Sequence, residues 1–133
     1  MPDHIFSTGI RELDGALNGG VHHPTLTIIY GESETGKTKI ALNIATSVVK
    51  EGFKVIYVDA DLKFDPRCIL GTYMDIRKLL SKIIVINGDL TSKKLIYILS
   101  GVISQDNGDI KLIILDTLSS IIRNNIFRGG FEA

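Results

Sequence analysis

The segment Gly31-Glu-Ser-Glu-Thr-Gly36-Lys37-Thr38 constrains this chain more than any other. It lies between a β-rich run, Leu26-Thr-Ile-Ile-Tyr30, and a helical pattern of apolar residues at Ile40, Ala41, Ile44, Ala45, Val48 and Val49. Strand, glycine-containing turn and helix in that order build a phosphate cradle, the P-loop. Gly31 and Gly36 permit backbone conformations that a side chain disfavours, so successive N–H groups can turn toward phosphate oxygens at a helix N-terminus. Lys37 supplies a point charge for the β- and γ-phosphates, and Thr38 a hydroxyl for Mg²⁺. Gly31, Glu32, Ser33, Glu34, Thr35, Gly36, Lys37 and Thr38 are therefore the nucleotide-binding set, with a nucleoside triphosphate and Mg²⁺ as the expected ligands. Glu32 and Glu34 oppose a polyanion unless they point to solvent.

The alternation of strand and helix continues on both sides of this loop. Ile10 to Leu17 has helical spacing, with Ser7 and Thr8 as caps and Asn18-Gly19-Gly20 as its end. His22-His23 reads as a solvent-facing loop. Lys54 to Asp59 is a buried strand, and Asp65-Pro66 starts a helix with the stripe Ile69, Tyr73, Ile76 and Leu80. Ile83 to Ile86 is a third strand. Thr91 opens a helix whose inner face is Leu95, Ile98, Leu99 and Val102, and Asn107-Gly108 turns into a fourth strand, Lys111 to Leu115, ending in Asp116. The strands are unbroken Ile/Val/Leu runs, the pattern of a parallel sheet covered on both faces. The expected fold is α/β, with right-handed crossovers placing helices on both sides of the sheet.

No linker or repeat divides the 133 residues, so residues 1–133 form one domain. With 44% hydrophobic residues and 15 basic against 15 acidic side chains, the chain is too apolar for disorder and has no bulk charge directing it to nucleic acid or an anionic membrane. The single cysteine, Cys68, excludes an internal disulfide and a multi-cysteine zinc site. No apolar stretch approaches the roughly 20 residues that span a bilayer, and the N-terminus lacks a secretory pattern; a soluble, cytoplasmic protein is expected.

A P-loop needs a carboxylate at the end of a nearby strand to hold its metal, and Lys111-Leu-Ile-Ile-Leu-Asp116 supplies one in Asp116, a Walker B candidate. Hydrolysis also needs a group that orients the attacking water. The strand Val55-Ile-Tyr-Val58 ends in Asp59-Ala60-Asp61, and only one of these two acids can serve; the alternative is that the pair caps the turn.

These residues together resemble the RecA-type recombinase core, in particular its archaeal RadA and RadB branch. Ser7-Thr8-Gly9-Ile10-Arg11-Glu12-Leu13-Asp14 followed by Gly19-Gly20 is similar to that family's S-T-G-x-x-x-L-D…G-G-G leading segment. Val55-Ile-Tyr-Val-Asp59-Ala60-Asp61 with Phe64-Asp65-Pro66-Arg67 is similar to Y-I-D-T-E-G-x-F-x-P-E-R, and Leu112 to Arg123 to L-x-x-x-D-S-x-x-x-x-x-R. Arg123 to Glu132 resembles the start of the first DNA-contacting loop, which implies DNA contacts from Arg123, Arg128, Gly129 and Gly130. The resemblance implies a P-loop NTPase with a RecA-like parallel sheet, cut off after the Walker B strand. It also makes Asp61, with Lys37, the catalytic pair.

The family's glutamate is replaced by the shorter Asp61, and a misplacement near 1 Å can cost on the order of 10²-fold in rate, so weak Mg-dependent hydrolysis is expected. Cys68 stands at the family's adenine-side arginine, leaving Arg67 as the base contact. By the resemblance, a further strand belongs between Leu26–Tyr30 and Lys111–Leu115. Without it the two must pair directly, leave open edges, or accept a strand from another chain.

The function implied is an ATP-binding accessory paralogue of homologous recombination and DNA repair. It would assist a recombinase or other RecA-like subunit in an oligomer or hetero-complex, with single-stranded DNA as a further partner and no membrane. Three alternatives stay open: a KaiC-like regulatory ATPase, a small-molecule or nucleotide kinase, and a nucleotide-binding subunit without turnover.

Overall fold

The computed structural model describes residues 4–32, 36–65, 76–88 and 90–128. The element that organises them is β3 (Lys54–Asp59), whose Val55, Ile56, Tyr57 and Val58 are all buried. Such a strand must be paired on both edges and covered on both faces. It lies between β4 (Ile83–Asn87) and β5 (Ile110–Asp116) in a parallel sheet of order β4-β3-β5.

Alternation along β3 divides the core into two layers. Val55 and Tyr57 pack with Leu42, Ala45, Val48 and Val49 of α2 (Lys37–Lys50), and with Leu79 of α3 (Ile76–Leu80). Ile56 and Val58 pack on the other face with Leu95 of α4 (Ser92–Ser104) and Ile121 of α5 (Leu118–Arg128). Helices therefore cover both faces, as expected from the apolar runs. Among the described strands only β3 is buried along most of its length; β4 mixes buried, half-buried and exposed positions, and β5 half-buried and exposed ones.

Several helices follow their sequence signals. The Thr91 hydroxyl accepts from Lys94 N at 3.3 Å at the start of α4, and Leu95, Ile98, Leu99 and Val102 face the core. Asp106 Oδ2 accepts from Gly108 N (2.9 Å) and Ile110 N (3.0 Å), closing the Asn107-Gly108 turn; the Ile110 bond is the main cause of its lowered pKa. In the third helix the buried residue is Leu79, not Leu80, which is half-buried. Asp65 is the last described residue before this helix; Pro66 of its expected start, its stripe residues Ile69 and Tyr73, and Cys68 fall in 66–75, outside the described residues.

The leading segment is a hairpin around a helix. β1 (His4–Phe6) pairs antiparallel with β2 (Val21–His23), so His22 and His23 belong to a strand and not to the expected loop; His22 Nε2 lies 3.0 Å from Leu17 O. Between them α1 (Arg11–Ala16) has Ile10 as its N-cap with no side-chain bond. Ser7 and Thr8, expected to cap it, instead serve Asp14. Ser7 Oγ donates to Asp14 Oδ2 (2.5 Å), and both Thr8 N (2.7 Å) and Thr8 Oγ1 (2.5 Å) donate to Oδ1. These bonds, the Ser7 bond foremost, hold the Asp14 carboxyl below the usual carboxylate range. Gly20, at φ +139°, lies against the Phe6 carbonyl, where an added Cβ would stand 2.1 Å from the oxygen.

The largest departure from expectation is Leu26 to Tyr30. It is not a strand, and Leu26 (88%), Ile28 (72%) and Tyr30 (90%) stand open to solvent. A strand needs a neighbour for its backbone groups, and among the described residues nothing pairs with this run or with the outer edge of β5. Of the three arrangements expected for these segments, the structure has open edges. An open groove of about 560 Å³ lies beside β5, with Phe6, Val21, Leu26, Ile110, Leu112 and Ile113 among its walls.

Candidate functional site

The register of β3 and β5 places Asp59 beside Asp116 at the C-terminal end of the sheet, and Ala60 N extends the pairing to Asp116 O at 2.8 Å. Helix α2 starts close by. Its N-cap is Gly36 at φ +96°, a left-handed conformation that favours glycine, and neither a side-chain cap nor an acidic residue occupies its first turn. The first N–H groups of α2 thus have no intrahelical acceptor and sit at the positive end of a 14-residue helix.

Thr38 Oγ1 donates to Asp116 Oδ2 at 2.9 Å, joining residues 78 positions apart. Lys37 Nζ donates to the carbonyls of Gly31 and Glu32, the latter at 3.0 Å, so its ammonium lies over the loop. These residues suit a nucleoside triphosphate with its metal. The N–H groups of the helix start and Lys37 would face phosphate oxygens, and Thr38 with Asp116 would hold Mg²⁺, which supplies charge neutralisation when bound. Glu32 is exposed, while Ser33, Glu34 and Thr35 lie outside the described residues, as does Arg67.

Tyr57 escaped the sequence reading. Its hydroxyl donates to the same Asp116 Oδ2 at 2.5 Å, and its ring packs edge-on to Phe64 with centroids 5.1 Å apart. Burial first, and then the bond to Asp116, push the phenol far above its ordinary range, so it remains a donor. The Asp116 carboxylate is held by two hydroxyls, one from the start of α2 and one from the sheet.

The two acids at the C-terminal end of β3, Asp59 within it and Asp61 beyond it, separate into different roles. Asp59 is buried and caps its own turn, accepting from Lys63 N at 2.9 Å and Phe64 N at 2.8 Å. Asp61 turns toward the start of α5: Thr117 Oγ1 donates to Oδ2 at 3.0 Å, and Ser120 Oγ donates to Oδ1. Ser120 Oγ also accepts from Arg123 Nη2 at 2.9 Å. Thr117 and Ser120 carried no sequence signal for this, because their role depends on how α5 leaves β5. The Asp116–Thr117 peptide is cis.

Arg123 lies in a helix and not in the expected loop, since α5 continues through Arg128. Asn124 Nδ2 donates to Leu90 O at 2.9 Å, and Asn125 Oδ1 accepts from Ser92 N at 2.7 Å, tying α5 to the start of α4. The Arg128 side chain, Gly129 and Gly130 lie outside the described residues. Among the described residues, no helix is long and apolar enough to cross a membrane, and no three His, Cys, Asp or Glu side chains form a metal-binding group.

Comparison with known proteins adds a family. The family model of the RecA N-terminal domain matches residues 3–132. The chain is 39% identical over 80 residues to Protein RecA of Nostoc sp., covering 60% of this chain and 22% of that protein. It is 41% identical over 54 residues to the DNA repair and recombination protein RadB of Thermoplasma acidophilum, covering 41% and 24%. Protein RecA of Clostridium botulinum is 32% identical over 117 residues, covering 87% and 31%. The chain thus spans less than a third of the length of these relatives.

Proposed function

This chain belongs to the RecA family, and on that premise we propose that it is an ATP-binding protein of homologous recombination and DNA repair. In this reading it is an accessory paralogue that assists a recombinase or another RecA-like subunit. MgATP binds at Gly31–Thr38 and Asp116. Lys37 meets the phosphates, Thr38 and Asp116 hold the metal, and Asp61 orients water for slow hydrolysis. Nucleotide then regulates association with the partner subunit and with single-stranded DNA, which Arg123 contacts.

The observation that carries this reading is the 2.9 Å bond from Thr38 to Asp116, which brings together, across 78 residues of sequence, the hydroxyl and the carboxylate that this reading assigns to the metal. It is supported by the uncapped start of α2 and by the likeness to the DNA repair and recombination protein RadB of Thermoplasma acidophilum. Titration calorimetry with ATP, with and without Mg²⁺, tests it. Micromolar, magnesium-dependent binding is expected, lost in Lys37→Ala and made magnesium-independent in Asp116→Asn. Absence of binding to the wild type, or unchanged binding in both variants, overturns it. A coupled assay offering small-molecule acceptors should detect no phosphate transfer, whereas transfer would point to a kinase.

A further inference from the structure

Asp116 presents its two oxygens unequally. Thr38 Oγ1 and the Tyr57 hydroxyl both donate to Oδ2, at 2.9 Å and 2.5 Å, and among the described residues no donor reaches Oδ1. A carboxylate oxygen offers two lone pairs, so two hydroxyls fill Oδ2 and leave Oδ1 as the open ligand. The two donors differ in their freedom. A threonine hydroxyl that ligates a cation through its own lone pair keeps its proton for Oδ2, so the Thr38 bond is compatible with an occupied site. Tyr57 is fully buried, in one cluster with Leu42, Ala45 and Val48 of α2 and edge-on to Phe64, and this packing holds its hydroxyl on Oδ2.

We propose that Tyr57 selects the metal of the nucleotide site: by filling the second lone pair of Asp116 Oδ2 it restricts the carboxylate to one oxygen, which serves Mg²⁺ and denies Ca²⁺ a two-oxygen grip. This rests on the reading of Thr38 and Asp116 as the metal residues given above and adds which cation they accept. Mg²⁺ demands a near-ideal octahedron at about 2.0–2.1 Å and keeps several waters, so one carboxylate oxygen, direct or through water, is enough. Ca²⁺ takes roughly six to eight oxygens at about 2.3–2.6 Å and can use both oxygens of one carboxylate. With Oδ2 filled by two hydroxyls, that second mode is closed. Tyr57 is a positioning residue in this scheme, acting on Asp116 and touching neither metal nor nucleotide.

Titration calorimetry with ATP in Mg²⁺ and in Ca²⁺ tests the selector on the full chain, for the wild type, Tyr57→Phe, Asp116→Asn and the double variant. The wild type should bind ATP more tightly with Mg²⁺ than with Ca²⁺. Tyr57→Phe keeps the ring and removes the donor. It should lose about tenfold with Mg²⁺, the scale of one hydrogen bond to a charged group, and nothing with Ca²⁺, because the freed lone pair offsets the lost orientation. The preference for Mg²⁺ then shrinks about tenfold, by the same hydrogen bond. A merely structural injury would weaken both metals alike, so the ratio of the two affinities is decisive. In the Asp116→Asn background Tyr57→Phe should leave that ratio unaltered, because both changes act on one carboxylate. Equal losses with the two metals, a wild type without preference for Mg²⁺, or a ratio that still shifts in the Asp116→Asn background overturns the selector while MgATP binding stands. No ATP binding to the wild type with either metal overturns the nucleotide reading and the selector with it.

Discussion

Val55-Ile-Tyr-Val58 and Leu26-Thr-Ile-Ile-Tyr30 are close in composition and opposite in fate. The first is hydrogen-bonded on both edges, by β4 and β5, and buried on both faces by α2 and α3 on one side and α4 and α5 on the other. Among the described residues the second has no strand beside it, and most of its side chains face solvent. Intrinsic β-propensity does not separate them; neighbours do. The consequence reaches the site, since the carboxylates Asp116 and Asp61 stand at the end of the paired strands, whereas the run leading into Gly31 has no such support.

The contrast is sharpest in the core. Ile56→Ala should cost about 2–5 kcal/mol, because it opens a cavity in a packed layer, while Ile28→Ala should stay within about 0.5 kcal/mol. Urea denaturation of both variants measures the gap, and equal losses would break the comparison. Gly20→Ala should cost about 2 kcal/mol or more, because the new methyl meets the Phe6 carbonyl and the positive φ disfavours it. A thermal midpoint unchanged by Gly20→Ala would show that the β1–β2 hairpin is not formed before the exposed run.

On the supported side of the site, Tyr57→Phe should weaken magnesium-dependent ATP binding about tenfold, as expected for a hydrogen bond to a charged group, and leave metal-free ATP binding unaltered. Titrations with and without Mg²⁺ separate the two. The smallest effect is expected at Asp14. Its carboxyl lies below the ordinary range in the folded chain, so its contribution is complete above about pH 4 and disappears as pH falls through its lowered value. Asp14→Asn should therefore lower the thermal midpoint at pH 7 but converge with the wild type under strongly acidic conditions.

Much of this was legible in the sequence where a local rule decides the outcome. Thr91 caps α4, the Leu95 to Val102 stripe faces the core, and the P-loop threonine meets a carboxylate that ends an apolar strand. What resisted reading depends on alignment between distant segments. The role of Tyr57 comes from the β3–β5 register, which brings its hydroxyl to Asp116. Asp59 and Asp61 are alike in sequence, and only the path of the 60–64 turn makes one a cap and leaves the other facing Thr117 and Ser120. Leu26–Tyr30 carries every local mark of a strand, but local marks cannot supply the neighbour that a strand requires.

The most direct test of the account is hydrogen exchange of the backbone amides, followed with and without saturating MgATP. Val55 to Val58 should be protected throughout. Leu26 to Tyr30 should exchange freely in the absence of nucleotide, and Gly36 to Ile40 should gain protection when MgATP is added. Deep protection of Leu26 to Tyr30 in the nucleotide-free chain, or no added protection at the start of α2 with MgATP, would contradict it.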